Sequence, residues 1–91
     1  MPRPRICRRI RGKPRCDYFK PAGIPMSKLN EIVLSLEEYE ALRLVDYKDV
    51  EQVSAGKKME ISQPTFSRIL SSARKKVAEA IVDGKAIRVE R

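Results

Sequence analysis

Side chains that carry out covalent or acid–base chemistry are scarce in this sequence. There is no histidine among the 91 residues, and the only cysteines are Cys7 and Cys16. Without a paired-carboxylate cleft or a glycine-rich phosphate loop, acid–base, metal-assisted and phosphoryl chemistry all lack their usual groups, so no enzymatic activity is expected. A structural zinc site usually takes about four Cys or His ligands, which a single copy of this chain cannot supply. A site shared across a dimer is the one metal arrangement left open; buried or incidental thiols are the plainer reading. No cofactor is expected.

What the sequence carries instead is a run of hydrogen-bonding side chains at helical spacing. Gln63, Thr65, Ser67 and Arg68 fall within Ile61-Ser62-Gln63-Pro64-Thr65-Phe66-Ser67-Arg68-Ile69-Leu70, with Ser71, Ser72, Arg74 and Lys75 following. Base edges in a major groove present donors and acceptors inside a negatively charged field, and side chains of this kind, free of carboxylates, suit them. Gln63, Thr65, Ser67 and Arg68 are the candidate base contacts. Ser62, Ser71, Arg74 and Lys75 are candidates for the phosphate contacts that hold register.

A helix must present these groups. The Ser62 hydroxyl is placed to accept a backbone N–H of the first turn, and Pro64 tolerates that turn because its missing N–H has no helical partner there. Phe66, Ile69, Leu70, Ala73, Val77, Ala80 and Ile81 recur at intervals of three and four, giving one apolar face opposite the polar one. The helix is expected to run to about Asp83, with Gly84 as its stop. An ordinary core helix with a solvated basic face has the same pattern, so the preceding segment decides between them. There a shorter helix is expected from about Val50 to Met59, with Val50, Val53, Gly56 and Met59 inward. Gly56 weakens a helix by about 1 kcal/mol relative to Ala, which close approach of a neighbouring helix explains. Two helices joined by a three- or four-residue turn form a helix-turn-helix, with Gly56, Ile61, Phe66 and Ile69 fixing the crossing.

The chain supports one small, mainly α domain: a helix-turn-helix bundle of three to four helices, with a basic extended N-terminal arm and one or two short strands near the termini. A net charge of +8 points to an anionic partner such as nucleic acid. Residues 1–20 hold eight basic groups against Asp17 alone, residues 31–60 hold eight acidic and four basic groups, and residues 61–91 hold seven basic and three acidic. Part of the surface, not all of it, therefore faces the anion. No apolar run approaches the roughly 18 residues that cross a bilayer, and no secretion signal is legible, so a cytoplasmic protein without membrane contact is expected.

Residues 1–26 divide from 27–91. In the first part, Pro2, Pro4 and Pro14 exclude an ordinary helix, and Arg3, Arg5, Arg8, Arg9 and Arg11 form an arm that follows phosphates or enters a minor groove; a solvated tail with only non-specific attraction is the alternative. Tyr18 and Phe19 are expected to anchor a Pro/Gly bend at 21–25 on the helices. In the second part, Ser35 and Glu38 have capping-box spacing, and Leu36, Tyr39, Leu42 and Val45 line one face of a helix reaching Asp46. That helix is expected to be acidic outside and to face away from phosphates. Ala86–Glu90 alternates like a strand whose partner lies near Ile6–Phe19.

Pro4-Arg5 with Cys7-Arg8-Arg9, the run Tyr18–Pro25, the run Leu36–Leu44, the run Pro64–Leu70, Ala73–Ala78 and Gly84-Lys85-Ala86 occur in one order. Together these blocks resemble a small prokaryotic family of uncharacterised predicted DNA-binding proteins, whose helix-turn-helix looks like region four of bacterial sigma factors. The resemblance covers nearly the whole chain and implies DNA binding. It departs from the family pattern at Glu60, where a Gly is usual in the turn, at Gln63, where an Arg is usual, and over Glu51–Gly56. If residue 63 reads a base, Gln in place of Arg exchanges a preference for guanine for one for adenine.

The leading expectation is a sequence-specific double-stranded DNA binder and transcriptional regulator, acting as a homodimer through the turns from Val77 to Val82. One alternative is a protein-interaction module docking on a partner such as RNA polymerase, with Glu37, Glu38 and Glu40 as its face. Another is a charge-driven, non-specific nucleic-acid binder.

Overall fold

The computed structural model describes Pro14 and residues 16–90. Arg5, Arg8 and Arg9, and with them Cys7 and the rest of the expected arm, lie outside the described residues. Among the described residues there are three α-helices and a small three-stranded sheet: strand β1 (Tyr18–Phe19), β2 (Glu31–Leu34), helices α1 (Leu36–Ala41), α2 (Gln52–Lys58) and α3 (Gln63–Asp83), then β3 (Ala86–Val89). The chain is thus mainly helical with short strands. A single 3-10 turn spans Met26–Lys28, and α1 continues as a π-helical segment over Leu42–Tyr47.

The helix ends obey local chemistry. The Ser35 hydroxyl accepts from the Glu38 amide at 3.1 Å while the Glu38 carboxylate accepts from the Ser35 amide at 2.8 Å, a complete capping box opening α1. Ser62 caps α3 by accepting from the Thr65 amide at 3.4 Å, with Pro64 in the first turn. Gly84 ends α3 in the left-handed region, at φ 68°, where its lack of a β-carbon removes the usual steric cost.

The sheet runs β1-β3-β2, with β3 antiparallel to β1 and parallel to β2. Tyr18 pairs with Arg88 and Phe19 with Ile87, so within the described residues β3 has a partner in the expected region. The second partner exceeds the one or two terminal strands expected. Glu31-Ile32-Val33-Leu34 is too short to declare itself by alternation, and its pairing with residues 86–89 is decided by contacts far along the chain.

Two apolar clusters hold the elements together. Ala41, Leu44, Ala55, Met59, Phe66 and Leu70 join α1, its π-helical continuation, α2 and the first half of α3. Leu34, Ala73 and Val89 join the sheet to the middle of α3. Several inward expectations are corrected. Leu36, Tyr39, Leu42 and Val45 do pack against these clusters, half-buried, and are joined by the buried Glu38, Glu40 and Ala41 of α1 and Leu44 of its π-helical continuation, which were not expected inside. Val53 and Ile81 are exposed, and Ala55 takes the inward place in α2. Phe19 is 52% exposed on an edge strand, beside Ala80 and Ile81 of α3, while Tyr18 is half-buried.

Candidate nucleic-acid interface

The 21-residue α3 is roughly 31 Å long at about 1.5 Å per residue. One side is fixed: Phe66, Leu70, Ala73 and Ala80 are buried against α1, α2 and the sheet. The opposite side is open along its whole length, with Gln63, Pro64, Ser67, Arg68, Ser71, Arg74, Lys75 and Ala78 all exposed. From Ser62 to Ala78 there is no carboxylate, so the open side of the first turns combines hydroxyls, an amide and cations.

Individual candidates differ in what their side chains already do. Ser67, Arg68, Ser71 and Lys75 are exposed on the open side. Thr65 is half-buried, and its hydroxyl receives the Ser62 hydroxyl's hydrogen bond at 2.9 Å, so both belong first to the helix start. Gln63 leans back over α2: its Oε1 lies 3.1 Å from the point that a β-carbon on Gly56 would occupy. Arg74 makes two hydrogen bonds to the Asp46 carboxylate, at 3.0 and 2.7 Å, leaving both side chains about half exposed. This pairing holds the Asp46 carboxyl below its ordinary value and raises the Arg74 guanidinium above its own. Arg5, Arg8 and Arg9 cannot be placed relative to this surface, since they fall outside the described residues.

Helix α2 approaches α3 closely at Gly56. Besides Gln63, a β-carbon there would lie 3.5 Å from Phe66 Cβ and 3.6 Å from the Ile61 carbonyl oxygen. The turn between the helices, residues 59–62, buries Met59 and places Glu60 at φ 60°, in the left-handed region where Gly is usual. Lys57 and Lys58 are exposed in the last turn of α2. They are not among the expected contacts, although adjacent lysines just before a turn are a legible sign of a cationic surface. Asp46, the partner of Arg74, lies 28 residues away from it and carries no mark in the sequence.

The middle of α3 is clamped by a buried carboxylate. Glu38 accepts from Ser72 Oγ at 2.5 Å and from Lys76 Nζ at 2.8 Å, and Lys76 Nζ also donates to the Val33 carbonyl at 2.8 Å. Burial pushes the Glu38 carboxyl up, but the hydrogen bonds from Lys76, Ser72 and the Ser35 amide outweigh it and hold the group below its ordinary value. Glu40 is 1% exposed and bound by Arg43 through two 2.9 Å hydrogen bonds. The acidic outer face expected of α1 is therefore not present: Glu38 and Glu40 are buried and engaged, and Glu37 is half-buried.

Among the described residues no three metal-capable side chains come together, and Cys16 is a free, exposed thiol. No helix of the described residues is long and apolar enough to cross a membrane.

The family model described as "Protein of unknown function DUF134" matches residues 1–91. A UPF0251 protein of Thermoanaerobacter pseudethanolicus is 54% identical over 90 residues, which cover 99% of this chain and 76% of that protein. A UPF0251 protein of Dehalococcoides mccartyi is 58% identical over 90 residues, 99% of this chain and 77% of the other. One from Moorella thermoacetica is 57% identical over 90 residues, but this chain spans only 60% of its length. No solved structure matches the chain.

Proposed function

We propose that this chain, which belongs to the family described as protein of unknown function DUF134, is a sequence-specific double-stranded DNA-binding protein and a transcriptional regulator. The observation that carries the reading is the open side of α3: exposed Gln63, Ser67, Arg68, Ser71 and Lys75 without a carboxylate, on a helix whose other side is buried. In this reading α2, the turn at 59–62 and α3 are a helix-turn-helix like that of sigma-factor region four. Gly56 is the small residue at the crossing, Glu60 the left-handed turn residue, and Ile61, Phe66 and Ile69 the apolar brace. The N-terminal turns of α3 enter the major groove, where Gln63, Ser67 and Arg68 meet base edges and Ser71 and Lys75 meet phosphates. Arg5, Arg8 and Arg9 add phosphate or minor-groove contacts.

A single helix reads only a few base pairs, so a homodimer on a two-fold site is part of the proposal. Ile81 and Val82, 74% and 81% exposed at the far end of α3, leave apolar surface for it. For the alternative of an acidic docking face on α1, Glu38 and Glu40 are internal and Glu37 alone of the three is partly exposed.

Selection of bound fragments from random duplex DNA tests this function. An enriched motif whose duplex binds at least roughly a thousandfold tighter than a scrambled control is expected. Absence of enrichment, with both duplexes weakening equally as salt rises, would instead identify charge-driven binding.

A further inference from the structure

Arg74 lies about one turn beyond Ser71 and about two beyond Ser67 on the open side of α3, yet its guanidinium is already held by Asp46. The carboxylate takes it through Nε at 3.0 Å and a terminal nitrogen at 2.7 Å, the two-pronged geometry with which arginine also grips phosphate. Both side chains remain about half in water, at 49% and 41% exposure, so neither is locked in by packing. Water-accessible pairs of this kind contribute little and exchange readily. Asp46 sits at the π-helical end of α1, outside the reading helix, and so can be left behind when Arg74 turns toward a new anion.

We infer that Asp46 is an internal competitor for DNA phosphate: it holds Arg74 in the free protein and gives it up to the backbone of the duplex in the complex. The inference rests on α3 being the DNA-facing helix. It assigns Asp46 a positioning role that sets affinity without touching DNA. The phosphate contact thus forms by exchange of one anion for another. Because the contact goes to phosphate, every duplex sequence feels it equally.

The test is a double-mutant cycle on binding to a duplex of random sequence and, separately, to a selected duplex. Asp46→Asn is expected to tighten both several-fold, Arg74→Gln to weaken both, and the double variant to match Arg74→Gln alone. Arg74→Gln is further expected to lower the slope of log affinity against log salt by about 0.9, the signature of one lost phosphate contact. A gain from Asp46→Asn that persists undiminished in the Arg74→Gln background would overturn the inference, since it would be a long-range effect of charge alone. Weaker binding by Asp46→Asn, with an unchanged thermal midpoint, would also overturn it, making the pair a brace that DNA binding needs intact. Lys75→Gln separates the two levels. If it lowers affinity and salt slope while Arg74→Gln changes neither, the exchange fails and the DNA-facing helix stands. If neither variant changes them, the reading of α3 itself fails.

Discussion

Gln63 occupies the space that a side chain on Gly56 would need at the α2–α3 approach: its amide oxygen lies 3.1 Å from where a β-carbon on Gly56 would sit. A residue proposed to read bases is thus positioned by a missing side chain on the other helix. The obstacle to Gly56→Ala is the far end of a flexible side chain, whereas the next atoms, Phe66 Cβ at 3.5 Å and the Ile61 carbonyl oxygen at 3.6 Å, are at ordinary contact distance. The helix gains up to about 1 kcal/mol from Ala over Gly, which offsets the displacement of Gln63. Gly56→Ala is therefore expected to leave the thermal midpoint nearly unchanged while altering base preference at the position Gln63 reads. Gly56→Leu, which cannot avoid Phe66, is expected to lose about 1–3 kcal/mol as an overpacked crossing. Thermal melts and binding of single-base variants of a selected duplex check both.

Glu60 occupies the left-handed region at φ 60° although it carries a side chain. Relief of that strain is worth about 1 kcal/mol, partly offset by the greater freedom of Gly in the unfolded chain. Glu60→Gly is expected to raise the melting temperature by about 2–6 °C, on a scale of roughly 4–8 °C per kcal/mol for a domain of this size. Asp49, also left-handed at φ 61°, is expected to gain less from the same change, since Asp tolerates this region better than Glu. Unchanged or lowered melting temperature for Glu60→Gly would remove strain as the account of this turn.

Glu38 gives stability a defined pH dependence. Its carboxyl is held below the ordinary value of 4.5 in the folded chain. Its contribution is therefore complete above the unfolded value and is lost as pH falls through the lower folded value. Glu38→Gln is expected to cost about 1–3 kcal/mol at neutral pH, toward the lower end because the 35% exposed Lys76 keeps access to water. It is also expected to shrink the fall in stability below pH 4.5. Denaturant melts of both proteins across the acid range measure this, and identical acid limbs would show that another carboxylate controls it.

Features governed by neighbours in sequence were legible before the structure. Ser35 with Glu38, Ser62 with Pro64, and Gly84 each act within a turn of their own helix, and each is seen in that role. The small residue at 56 and the strand at 86–89 were legible because glycine and strict alternation carry their reasons locally. What escaped depends on distant partners. Glu38 reads as a surface acid until Ser72 and Lys76, 34 and 38 residues later, arrive to satisfy it. Arg74 reads as a free cation until Asp46 is placed beside it. The apolar face of α1 is legible from spacing, since Leu36, Tyr39, Leu42 and Val45 all pack on the core; the burial of Glu38 and Glu40 beside it is not. Of the proposed contacts, spacing alone puts Ser67, Arg68, Ser71 and Lys75 on the open side of α3, where they are exposed; those already engaged can be told apart only in three dimensions.

Arg68 offers the most direct test of the central claim that α3 reads base edges, since it is exposed in the second turn of the open side. The measurement is the affinity of wild type and Arg68→Ala for a selected duplex and a scrambled one, at one fixed salt concentration. Loss of about 1–3 kcal/mol on the selected duplex is expected, with a much smaller change on the scrambled one and a relaxed preference at one position. An equal loss on both duplexes, or no loss on the selected one, would contradict base reading by this helix.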